Sequence, residues 1–220
     1  MRQTSERTDA ALEAVYAAFT QNGLKRPLVI CPCCVSAEEE AVMLGTRLRE
    51  LTWAQLERYL SAVFLTSGAA EDFRYFLPRL LDLTAHVKWD FQCDWEILLG
   101  KLSLGEWPTW PQRERAALTE FMQAHFEDLI AAQDARGDEL DGFLCGLARG
   151  GVDLGYFLDR LSKPDADAAF FALQDVNAAS LMKGKLTNSF WKDHRPAGEP
   201  IRQWLIGEAS AARLAQRWSM

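Results

Sequence analysis

Cys31, Cys33 and Cys34 fall within four consecutive positions of the run Leu28-Val29-Ile30-Cys31-Pro32-Cys33-Cys34-Val35-Ser36-Ala37, and they are three of the five cysteines in 220 residues. Thiols so placed have two chemistries open to them: as thiolates they are soft ligands for an ion such as zinc, and as a pair they can form and break a disulfide. A closed zinc site needs four ligands. Cys31 and Cys34, or Cys31 and Cys33, supply two. The further candidates are His86 and Cys93, seven residues apart, with His125 and His194 more remote. Cys31, Cys34, His86 and Cys93 are therefore the candidate metal ligands, zinc the one cofactor they suggest. A cysteine-rich turn packed against the first helices is the plainest alternative and needs no chemistry.

Cys31-x-x-Cys34 follows an apolar run and precedes a helix start. That local order resembles the redox motif of glutaredoxins, in which a helix N-terminus favours the thiolate. The strands of such a fold are missing, because no alternating β-branched runs follow residue 30. Other catalytic types are scattered: His86, His125 and His194 are isolated, and neither His-Glu-x-x-His nor Gly-x-Ser-x-Gly occurs. Carboxylates gather at Asp134, Asp138, Glu139 and Asp141 beside glycines, where they could meet a cation or a basic partner, or simply start a helix. Trp107 and Trp110, two of eight tryptophans, are candidate anchors for a protein partner, since an indole buries much area at small entropic cost. Interhelix packing is the competing use.

The elements that would position these groups are helices. Leu12, Val15, Tyr16 and Phe19 recur at helical spacing ahead of Gly23 and Pro27. Ser36 with Glu39, and Thr52 with Gln55, match capping boxes, and the Glu38-Glu39-Glu40 run suits a helix start. Pro78 lies within the pattern Phe73, Phe76, Leu77, Leu80, Leu81, so a helix either kinks or ends there. Helices follow at Trp95 to Leu102 and, with Thr109 as cap, Gln112 to Ala132. Two shorter ones are expected near 138–149 and 152–161, and another opens at Ser162. A loop from Lys192 to Pro200 precedes a last helix carrying Trp204, Leu205, Leu214 and Trp218.

The expected class is all-α: an irregular multihelical domain of about ten helices, with solenoid stacking as a variant and at most one short strand, Leu28 to Ile30, which is short enough to be extended coil. Trp107-Pro108-Thr109-Trp110-Pro111 marks a boundary between lobes 1–106 and 107–220 of one continuous domain.

With 31 acidic against 24 basic residues the formal charge is −7, and no Lys/Arg block stands out. A polyanion would be repelled, so nucleic acid is not an expected partner, whereas a basic protein would be drawn in. No apolar run approaches the length of about eighteen residues that a membrane span requires. The opening MRQTSERTDA lacks a secretory apolar block, so a cytoplasmic protein with reduced thiols is expected, and no membrane partner. Cys93 and Cys145 read as small buried hydrophobes.

Cys31-Pro32-Cys33-Cys34, Leu51-Thr52-Trp53 and Phe73-Arg74-Tyr75-Phe76-Leu77-Pro78 resemble a group of uncharacterised bacterial proteins that share a Cys-Pro-x-Cys segment, a tryptophan-bearing helix and a Phe-Arg-Tyr-Phe-Leu-Pro phrase. The resemblance covers about residues 28 to 82 and implies no established activity. In general character such acidic proteins are similar to bacterial immunity proteins. The expectation is then a non-enzymatic protein-binding module of the immunity type, covering the active site of a basic cognate toxin. A zinc- or thiol-dependent enzyme centred on Cys31 and Cys34, and a structural scaffold, are the alternatives.

Overall fold

The computed structural model describes residues 4–19, 24, 27–29, 31, 33–86, 94–132, 135–192 and 195–217. Among these residues there are eleven α-helices, four short 3-10 turns and no strand, so the chain is all-α. Leu28 and Val29 belong to no strand, and Ile30 lies outside the described residues, as do Cys93, Asp134, His194 and Trp218. No helix among the described residues is long and apolar enough to cross a membrane.

By backbone contacts the chain forms two compact units, Met1–His125 and Phe126–Met220. In the first, α1 (Glu6–Phe19) turns its apolar stripe inward, with Leu12, Val15, Tyr16 and Phe19 buried against α4 (Ala70–His86). The Tyr16 hydroxyl donates to Asp82 on α4 at 2.8 Å. α2 (Ala37–Gly45) begins with the expected capping box: the Glu39 N–H donates to Ser36 Oγ, and the Ser36 N–H to Glu39 Oε2 at 2.7 Å. α3 (Trp53–Ala62) starts in the same way, the Thr52 N–H donating to Gln55 Oε1 at 2.7 Å.

Pro78 neither ends α4 nor splits it. The helix runs through to His86, because Phe73, Phe76, Leu77, Leu80 and Leu81 are all fully buried and that burial outweighs one missing backbone donor. α5 (Trp95–Leu104) lies against α4 and carries Lys101, whose ammonium is almost buried and donates to Val63 O at 2.9 Å. That cation sits on a carbonyl at the C-terminal end of α3, where the helix dipole favours it.

α6 (Gln112–Ala131) starts later than Thr109 would have it. Thr109 closes a 3-10 turn, Trp107–Thr109, by donating to Glu106 O, and Pro111 O accepts the first bonds of α6. The Trp107–Pro111 segment lies inside the first unit, and the division between units falls within α6.

In the second unit α7 (Gly137–Arg149) packs on α9 (Asp167–Leu181), and α8 (Gly155–Leu161) lies beside α9. Phe126, Phe143 and Phe157 form one ring cluster, with centroids 5.0, 6.0 and 6.5 Å apart. Ser162 ends α8 rather than opening α9, its hydroxyl donating to Leu158 O at 2.7 Å. The expected loop from Lys192 to Pro200 is also corrected. α10 (Arg195–Ile206) already includes Pro196 to Pro200, and α11 (Glu208–Arg217) follows Gly207. Gly198 is what permits this, since a Cβ there would lie 2.8 Å from the Trp191 ring that packs on the helix.

Candidate metal centre

The described residues between Val29 and Ser36 belong to no helix, so their placement is set by the bonds that tie them down. Cys31 O accepts from the N–H groups of Cys34 at 2.9 Å and Val35 at 3.1 Å, closing a tight turn. Three bonds clamp that turn to the α3–α4 connection. The Cys31 N–H donates to Ser67 Oγ at 2.8 Å, the Thr66 hydroxyl donates to Cys34 Sγ at 3.0 Å, and the Gly68 N–H donates to Val29 O. The connection reaches this position by two left-handed residues, Phe64 (φ 63°) and Gly68 (φ 78°). At Gly68 a side chain is excluded twice over, because a Cβ would also lie 3.0 Å from Val63 Cγ2. Buried Leu28 and Val35 pin the two ends.

The outcome is convergence of all three thiols. Cys31 Sγ and Cys33 Sγ are 2.7 Å apart, Cys33 Sγ and Cys34 Sγ are 3.9 Å apart, and all three sulfurs lie within 4.8 Å of one another. Sulfurs bound to one zinc at about 2.3 Å stand about 3.8 Å apart in a tetrahedral shell. The Cys33–Cys34 separation already matches that spacing, whereas Cys31 and Cys33 would have to move apart to share an ion. The hydrogen bond with Cys33 lowers the Cys31 thiol from its ordinary value, while the same bond pushes Cys33 up to about 11. That bond favours the thiolate at Cys31 over the thiolate at Cys33.

Among the described residues this trio is the one group of three or more ligand-type side chains placed to share an ion. His86, expected as a ligand, is not part of it. Its ring lies at the end of α4, with Nε2 at 3.1 Å from the Thr4 hydroxyl and Nδ1 at 2.9 Å from Asp82 O. Cys93 falls outside the described residues. Cys145 is fully buried, as expected. Cys33 takes the place the metal expectation left to a distant residue. Thr66 and Ser67, which fasten the turn, had no sequence signal beyond the break at Ser67-Gly68. A surface groove of about 430 Å³ runs beside Cys34, lined also by Glu57, Arg58, Ser61, Leu65 and Thr66.

The expected partner-binding residues separate. Asp141 is buried, 2% exposed, and faces inward, accepting from Asn177 Nδ2 at 3.0 Å and Trp191 Nε1 at 3.1 Å. Burial raises its pKa, and those donors oppose the shift. It ties α7 to α9 and cannot meet a partner. Trp110 is likewise a core residue, stacked edge-on to Phe19 and donating to Gly105 O. Asp138 is half-buried and accepts from Nε and Nη2 of Arg136, with Glu139 half-buried beside it. Trp107 is half-buried at a second depression of about 520 Å³, lined also by Pro108, Gln112, Arg115, Thr119 and Glu120. No protein family, no curated protein and no solved structure matches the chain.

Proposed function

We propose that this protein is a non-catalytic binder of a thiophilic metal ion, zinc in the first instance, held by the thiolates of Cys31, Cys33 and Cys34. The observation that carries the reading is the convergence of three sulfurs within 4.8 Å on a turn anchored from outside by Ser67 and Thr66. Three thiolates more than offset the charge of a dication and leave one tetrahedral position for a further ligand. The turn sits at the protein surface, with Cys33 exposed, so an ion can enter and leave without unfolding.

Elemental analysis tests this. The chain equilibrated with excess zinc and desalted is expected to retain one zinc per molecule, and the Cys31→Ser, Cys33→Ser, Cys34→Ser variant none, with helical content unchanged. His86→Ala is expected to leave the stoichiometry intact. Retention of zinc by the triple variant, or no zinc on the parent, refutes the reading.

A protein-binding module of the immunity type is a second reading, supported by Trp107 at the lip of a depression on a protein of net charge −7. A central tryptophan of such a surface contributes about 2 kcal/mol or more to binding. Trp107→Ala is expected to abolish co-purification with the basic product of a neighbouring gene, and undiminished co-purification counts against it.

A further inference from the structure

The metal reading leaves one coordination position open, and the groove next to Cys34 bears on what fills it. Cys34 belongs to both features: its sulfur is 3.9 Å from that of Cys33, and it lines the groove of about 430 Å³. The groove is an open depression, and a space of that size admits a small molecule. Its lining is chemically mixed. Arg58 and Glu57 lie on the same groove, one cation and one anion side by side on α3, and Leu65 supplies an apolar wall while remaining 69% exposed. Arg58 is held by Glu39 at 2.9 Å, which fixes its guanidinium yet leaves further N–H donors for a second carboxylate. Ser61 and Thr66 add hydroxyls to the same lining.

We propose that the groove seats a small zwitterionic aminothiol, whose sulfur becomes the fourth ligand of the ion on Cys31, Cys33 and Cys34. Its carboxylate meets Arg58, its ammonium meets Glu57, and its carbon chain lies along Leu65. The step is a ligand exchange without redox change: a water leaves the zinc, the incoming thiol gives its proton to solvent, and a Zn–S bond forms. The metal and the aminothiol are thus taken up as one ternary complex. This inference rests on the metal reading proposed above, and its test separates the two.

Calorimetric titration of L-cysteine into the zinc-loaded full chain is expected to show one binding event per molecule. L-serine, which has the same charges and no thiol, is expected to show none, as is L-cysteine added to the metal-free chain. Arg58→Gln is expected to weaken L-cysteine binding about tenfold, the scale of one lost charge-assisted contact, while zinc stoichiometry stays at one. Zinc retained with no L-cysteine uptake, equal uptake of L-serine, unchanged affinity in Arg58→Gln, or removal of the zinc by L-cysteine overturns the groove assignment alone. Failure of the chain to take up zinc overturns both.

Discussion

Replacing Arg74 by methionine is expected to lower the stability of the first unit by about 3 to 5 kcal/mol, because it breaks a buried ion pair from its more exposed side. Arg74 on α4 donates through Nε and Nη2 to both oxygens of Glu114 on α6, at 2.8 and 2.6 Å. The two partners are not equally sheltered: the Glu114 side chain is 0% exposed and that of Arg74 17%. Deleting the arginine leaves a carboxylate with no access to water, whereas deleting the glutamate leaves a guanidinium that can turn toward solvent. Glu114→Leu should therefore cost less than Arg74→Met. The double variant should recover most of the loss, since a well-packed apolar pair replaces a buried ion pair at little cost. Urea titrations of the three variants read this directly. Equal costs for the two single changes, or a double variant no better than Arg74→Met, would remove the explanation.

The second large effect is expected at Gly137. A Cβ at this first residue of α7 would stand 2.0 Å from Ala172 O and 2.5 Å from Ala172 C on α9. Both atoms are backbone, so relief requires α7 and α9 to part. Gly137→Ala should destabilise the second unit by about 3 kcal/mol, the upper range for overpacking. The gain in helix propensity from glycine to alanine is at most about 1 kcal/mol and does not reverse the sign. Gly45, at the end of α2, has nothing within 4 Å of its Cβ position. Gly45→Ala should accordingly be neutral or slightly stabilising, and a similar response from both glycines would show that propensity rather than contact governs Gly137.

Local signals in the sequence carry most of the helices. Ser36 with Glu39 and Thr52 with Gln55 close their boxes over three residues, and the stripe from Leu12 to Phe19 repeats within one helix, so neither depends on distant packing. The errors arise where tertiary contact overrides a local rule. Pro196 to Pro200 are helical because α10 buries Ile201 and Leu205 while Trp191 fills the space over Gly198. Asp141 looked like surface charge among other acids. Its helical phase, with Leu144 and Cys145 three and four positions on, places it on the buried face of α7.

The candidate centre was legible in part. The cysteine spacing pointed to the turn, but the convergence of the third sulfur depends on bonds to Thr66 and Ser67, more than thirty positions away in the chain. No periodicity or cap encodes such a contact. The mixed lining of the groove beside Cys34 arises in the same way, from the end of α3 being folded back by the left-handed Phe64.

X-ray absorption at the zinc edge, on the chain loaded with one equivalent of zinc, bears most directly on whether these three thiols form a metal site. A shell of three sulfurs at about 2.3 Å with one lighter atom is expected, rising to four sulfurs when L-cysteine is added. A shell of nitrogen and oxygen alone, or one unaltered by replacing Cys31, Cys33 and Cys34 with serine, would mean that the ion sits elsewhere and that the turn is only a packed corner of the fold.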